Sequence, residues 1–314
     1  MTDDELMKKL QGEAEFNPWL DVASSWLLKP SGYKYFLPED KVKIEDYKQR
    51  LSEKANTLPN DKSHYQFALD VLPQPFIGNP CAPIWVLLKN PGFSSADVYD
   101  LSSITRGKKL LLREDVSNEQ ILAIPNYSNE EALKKRRELV CDQLRFKFEN
   151  NDKAFYILRD EFKTIGNRAK GNKTLGGYNW YMKYFCCESS YVTLGNDCLK
   201  DLSRNVFVLE GIPYHSELYF NSGVRFRHQE LWESLISHAL GNKILIMRRG
   251  IYKHIMHVVS CDSKLMKRFI KAERSRKIVI LKDRQARLTP NNTYWPCSAS
   301  QEVNPLLRIK TSDV

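Results

Sequence analysis

Four short apolar runs punctuate the chain, Ile84 to Leu88, Val206 to Leu209, Ile244 to Met247 and Ile278 to Leu281. Each is uninterrupted by polar residues and stops at charged or turn-forming ones, the pattern of strands buried on both faces. Between them apolar positions recur at helical spacing. The clearest case is Leu231, Leu235 and Ile236 after His228, which predicts a helix from Glu230 to Leu240. Strands alternating with helices predict an α/β fold, a three-layer αβα sandwich around a central four-stranded, mainly parallel sheet.

The flanking pattern is different. Residues 1–70 read as a helical N-terminal extension to a domain over 71–314, with Pro38-Glu39-Asp40 opening a helix whose charged pattern runs through Ser52. A helical insertion is expected at about 100–200. Its best element starts at the capping-box pattern Ser128-Asn129-Glu130-Glu131 and sets Leu133, Val140, Leu144 and Phe148 on one side. The basic residues Lys134 to Arg137 on that helix, and the run Lys264 to Lys277, read as solvated faces before phosphate contacts. The aromatic group Tyr178 to Phe185 is expected to be a core-packing helix and not a base-stacking platform.

With 42% hydrophobic and 27% charged residues, the 314-residue chain has the balance of a globular protein, and its net charge of +10 favours a polyanionic partner. The seven cysteines form no Cys-x-x-Cys pair, so neither a metal nor an iron–sulfur cluster is expected, nor any other cofactor. Their odd number and the acidic start predict free thiols in the cytoplasm. No apolar run approaches the roughly 20 residues that span a bilayer, so no membrane partner is expected.

Chemistry concentrates where the first run ends. Ile84-Trp85-Val86-Leu87-Leu88 passes through Lys89 into Asn90-Pro91-Gly92-Phe93-Ser94-Ser95-Ala96, which predicts a tight turn that aims the Asn90 amide into a cleft at the carboxyl end of a strand. This segment resembles the first motif of the uracil-DNA glycosylase superfamily, in its mismatch-specific branch. The order of the later segments agrees over roughly residues 75 to 300, with a base-reading position at Glu210 and a Gly turn at Arg248-Arg249-Gly250. Thr289-Pro290-Asn291 stands where relatives more often carry His-Pro-Ser or Asn-Pro-Ser.

The resemblance implies a monomeric, monofunctional DNA glycosylase that extrudes one nucleotide from duplex DNA and cleaves its glycosidic bond. Asn90 would orient the attacking water, and His215 would hydrogen-bond the base O2 or a phosphate. The uracil-specific branch has a Tyr after the Pro that walls off the pyrimidine 5-position; Gly92 here leaves that position open. Phe93 and Tyr99 are the aromatic neighbours of the base. Arg248, Arg249, Arg284 and Arg287 would clamp phosphates, while Asn291 and Tyr294 would enter the minor groove. Glu210, taken as an ionised acceptor, favours the N4 amino group of cytosine over uracil O4. A 5-substituted cytosine is therefore expected, such as the glucosylated hydroxymethylcytosine of phage DNA, in defence or in repair. A plainer reading makes Glu210 a structural ion-pair partner of Lys89 or Arg248; Lys89, otherwise placed at the base, could instead form a Schiff base in a bifunctional lyase, but the charge partner is simpler.

Overall fold

All four apolar runs are strands, and they lie side by side. The computed structural model describes residues 1–29, 33–92, 130–162, 177–185, 197–216, 218, 220–282 and 292–294. Its six-stranded sheet consists of β1 (Phe76–Gly78), β2 (Ile84–Leu88), β3 (Val206–Glu210), β4 (Ile244–Arg248), β5 (Ile278–Leu281) and β6 (Thr293–Tyr294), in the order β1-β3-β2-β4-β5-β6. The central four strands are parallel, and the short edges β1 and β6 are antiparallel to their neighbours. The fold is thus α/β with a mostly parallel sheet. Every residue of β2, β3 and β5 is buried, which requires chain packed on both faces.

The edge pair β1–β3 depends on a glycine. Gly78 has φ +96°, and a Cβ placed on it would sit 2.6 Å from the Val206 carbonyl oxygen. Both the backbone conformation and the close approach exclude a side chain there.

The chain leaves β2 for β3 on one side and later enters β4 on the other. The strand order therefore reverses beside β2, and the carboxyl ends at such a reversal flank a crevice suited to a ligand. Leu88 pairs in register with Glu210, Leu87 with Met247, and Arg248 with Leu281. Side chains in register share a face, so Glu210, Leu88 and Arg248 stand together on one face at the carboxyl edge.

Among the described residues the helices are α1 (Asp3–Gly12), α2 (Trp19–Trp26), α3 (Lys41–Glu53), α4 (Glu130–Leu144), α5 (Gly177–Phe185), α6 (Cys198–Asn205), α7 (His228–Ala239), α8 (Arg249–Ser260) and α9 (Ser263–Arg274). Residues 1–70 share one hydrophobic core with the rest of the chain. Asp3 bonds His238 at 2.9 Å and Lys243 at 2.7 Å, and Asn17 donates to the carbonyls of Leu10 and Leu144. The Trp19 indole N–H donates to His228 Nδ1, and Asp40 accepts from the Arg227 backbone N–H and the Tyr214 hydroxyl. α7 lies against the sheet face that carries Trp85, whose ring is 6.3 Å from that of His238.

In the insertion, Tyr181 and Phe185 of α5 pack edgewise or tilted on Phe155, in keeping with a core-packing helix. The solvated reading of Lys134 to Arg137 needs correction at Arg136, which is 0% exposed, donates to the Glu161 carbonyl and lies over the Phe162 ring. Ser128, the expected cap of α4, lies outside the described residues. The expectation of free thiols is also corrected: Cys81, Cys141 and Cys261 are free, whereas Cys198 is disulfide-bonded. Among the described residues no helix is long and apolar enough to cross a membrane, and no His/Cys/Asp/Glu cluster could hold a metal ion.

Candidate active site

The turn after β2 is held by the loop after β3. Gly211 and Ile212 donate their N–H groups to the carbonyls of Leu88 (2.9 Å) and Lys89 (2.7 Å), and Ser216 N–H reaches Pro91 O at 3.4 Å. Asn90 completes this seam through its side chain. Its Nδ2 donates to Pro91 O (3.0 Å), Ser216 Oγ (3.0 Å) and Ser216 O (3.3 Å). Two of these partners are carbonyls, which can only accept, so the amide has one orientation: Nδ2 faces the loop and Oδ1 faces away from it. Among the described residues Oδ1 has no partner, so the amide presents an acceptor.

Ser216 was not singled out by sequence reasoning. Its hydroxyl donates to Leu218 O at 2.9 Å and offers its lone pair to Asn90. Its only signal was its place beside His215. That histidine is 1% exposed, and its Nδ1 lies 2.7 Å from Gly92 O. The carbonyl must accept, so Nδ1 carries the hydrogen and Nε2 of the neutral ring is an acceptor. The proposed donation to a base O2 would therefore require the doubly protonated ring. The observed work of His215 is to fix the backbone at Gly92.

Gly92 itself is exposed, with φ outside the left-handed region, and a Cβ there would meet open space. The turn does not need a glycine for its backbone. What the glycine leaves is open space at the turn.

Glu210, in register with Leu88, is 2% exposed. Its backbone is fixed by N–H donation to Pro75 O (2.8 Å) and by acceptance from His228 Nε2 (2.9 Å). Its carboxylate Oε2 has no hydrogen-bond partner, and no ion pair joins Glu210 to any described residue. Burial pushes its carboxyl well above the usual range, against a smaller pull from the Arg248 charge. Burial without a partner therefore favours the protonated form of the carboxyl, which offers one O–H donor and one carbonyl acceptor. That direction runs against the expectation of an ionised acceptor, and the plain reading of an ion pair with Lys89 or Arg248 is corrected, since no such pair is formed.

Lys89 is half-buried, and its Nζ lies 3.5 Å from where a Gly250 Cβ would be. Burial, with the Arg248 charge second, lowers its pKa. Arg248 is half-buried at the end of β4, and Arg249 is exposed as the first residue of α8. The structure thus brings Lys89, Asn90, Gly92, Glu210, His215 and Arg248 to one sheet edge.

Phe93, Tyr99, Arg284, Arg287 and Asn291 lie outside the described residues. Tyr294 is corrected in part: its backbone belongs to β6, paired with Ile280, and not to a loop. Trp232 of α7 is a further unforeseen neighbour. Its buried Nε1 has no hydrogen-bond partner and lies 4.0 Å from where a Gly211 Cβ would be.

Two cavities bounded by described residues lie elsewhere, one of about 530 Å³ between α3 and Phe220 to Ser222, the other of about 210 Å³ among α7, α8 and α9. The first is lined by exposed charges already paired within α3, such as Arg50 with Asp46. Comparison of the chain with protein families, curated proteins and solved structures finds no match.

Proposed function

We propose that the protein is a DNA glycosylase that extrudes a modified pyrimidine and hydrolyses its bond to the sugar, leaving an abasic site. The observation that carries this reading is the placement, at the carboxyl ends of adjacent parallel strands, of an amide locked with its acceptor outward in the turn after β2 and a buried carboxyl with an unused oxygen at the end of β3. The resemblance of Asn90 to Ala96 to the glycosylase motif, and the layered α/β fold with four parallel strands, support it further.

In this reading Asn90 Oδ1 accepts a hydrogen from water and holds the water oxygen against C1′. An amide is a weak base, so its contribution is placement. Glu210 reads the base edge. As a neutral acid it complements cytosine, accepting from N4–H and donating to N3. Turned over, it complements uracil, donating to O4 and accepting from N3–H. Charge alone therefore does not reject uracil, and this supports a uracil or mismatch glycosylase as the second reading. The open space at Gly92 favours a 5-substituted base, such as glucosylated hydroxymethylcytosine.

The decisive experiment incubates the protein with genomic DNAs that differ in cytosine modification and identifies released bases by mass spectrometry. Release of a 5-substituted cytosine, with alkali-labile sites that disappear in Asn90→Ala, is the expected result. Tight, salt-sensitive DNA binding with no released base would mean a binding protein instead. Gly92→Tyr should exclude bulky 5-substituted bases while sparing unmodified ones; equal losses on both would count against an open 5-position.

A further inference from the structure

An amide at position 210 would serve base reading as well as the acid does, since it too offers one donor and one acceptor. A carboxyl differs in one respect: its proton can leave. Glu210 is 2% exposed and has no ion-pair partner among the described residues, so it enters the reaction protonated. Three ionisable groups stand around it on packed elements. His228 of α7 touches only its backbone carbonyl, Lys89 follows the neighbouring β2, and Arg248 stands two strands away on the same face, roughly 9.5 Å by strand spacing. Among the described residues only Arg248 acts on the carboxyl through its charge.

We infer that Glu210 is the general acid of the reaction, transferring its carboxyl proton to N3 of a cytosine-type base as the glycosidic bond breaks. The inference rests on the glycosylase reading above. The Glu210 O–H bond breaks and an N3–H bond forms. The C1′–N1 bond breaks with its electron pair passing to the base, which departs as a neutral N3–H tautomer and not as an anion. Water held by Asn90 bonds through oxygen to C1′ and releases a proton to solvent. The carboxylate left behind is stabilised by Arg248 and regains a proton from solvent after the base has gone. Uracil already carries hydrogen on N3 and cannot draw on this route, which gives the acid a function that an amide lacks.

The test measures single-turnover release from duplexes holding 5-hydroxymethylcytosine or 5-hydroxymethyluracil, between about pH 5 and 9, for wild type and Glu210→Gln. Glu210→Gln should bind the cytosine duplex within a few-fold of wild type yet release the base about 10²–10⁴-fold more slowly. Its loss on the uracil base should be at least about ten-fold smaller. The wild-type rate on the cytosine base should fall as pH rises, and the variant should lack that falling limb. Equal losses on both bases, an unchanged rate on cytosine, or a flat wild-type profile would overturn the inference. Where the variant melts below wild type, or wild type leaves the uracil base in place, the wild-type pH profile decides alone. No release of either base by wild type overturns the glycosylase reading together with this one, whereas release that survives intact in Glu210→Gln overturns this one only.

Discussion

Two carboxyl groups are buried near the loop after β3, and they have opposite surroundings. Asp40, 0% exposed, accepts from the Arg227 backbone N–H at 2.7 Å and from the Tyr214 hydroxyl. Glu210, 2% exposed, leaves Oε2 with no partner. Burial raises both pKa values, but at Asp40 these hydrogen bonds pull the other way, whereas at Glu210 only the charge of Arg248 does. Burial of a charged residue type is therefore not by itself a sign of chemistry. Asp40 is a joint between the N-terminal region and the loop that carries His215. Glu210 keeps its hydrogen-bonding capacity unspent, which a fold tolerates at a cost and a ligand can use.

The largest effects should separate these roles. Asn90→Ala, beside Glu210, is expected to lower base release by about 10²–10³-fold, the scale of losing a positioning group, while costing at most about 1 kcal/mol of stability. Asp40→Ala should do the reverse. It strands a buried N–H and a buried hydroxyl, a loss of about 2–4 kcal/mol, with base release per folded molecule little changed. Urea unfolding and single-turnover release on the same samples read both. Full activity in Asn90→Ala, or an unchanged unfolding midpoint in Asp40→Ala, would break the contrast.

How far the contrast could be read in the sequence follows from the range of the interactions. The four central strands were legible because each is a continuous apolar run ending at a charge or turn, and Asn90 and Glu210 stood out as the residues at those ends. The edges β1 and β6 have three and two residues, too few for any periodicity to register. Asp40 has its partners at Tyr214 and Arg227, beyond the reach of local pattern. The direction of the Asn90 amide is set by Ser216, 126 residues away. The upward shift at Glu210 was out of reach for the same reason, since residue type gives the intrinsic pKa but only the packed surroundings give the shift.

A smaller, pH-dependent effect belongs to the residue behind Glu210. His228 accepts the Trp19 indole N–H at Nδ1 and donates from Nε2 to the Glu210 carbonyl, so a second ring proton would face another donor. Burial lowers its pKa from 6.5 to about 4. The unfolded chain therefore binds a proton between those values that the folded one does not, and stability rises with pH across that window. About 3 kcal/mol should be lost on going from pH 7 to pH 4 through this group. His228→Gln preserves an acceptor and a donor without titrating, and should flatten the acid limb of the melting curve. An acid limb of unchanged steepness would exclude His228 as its cause.

The last expected effect has the opposite sign and tests the comparison most closely. Because the folded pKa of Glu210 lies well above 4.5, the folded chain holds a proton that the unfolded chain releases, and stability falls as pH rises from about 4.5 toward the folded value. Glu210→Gln removes that penalty without changing the side chain's shape. It should melt with wild type near pH 4.5 and be the more stable protein at pH 8. Asp40→Asn should gain less, because its carboxyl already has donors that favour the charged form. If Glu210→Gln instead loses stability at pH 8, the carboxyl has a stabilising partner in the folded protein, and both its neutral state and its part in the chemistry fall together.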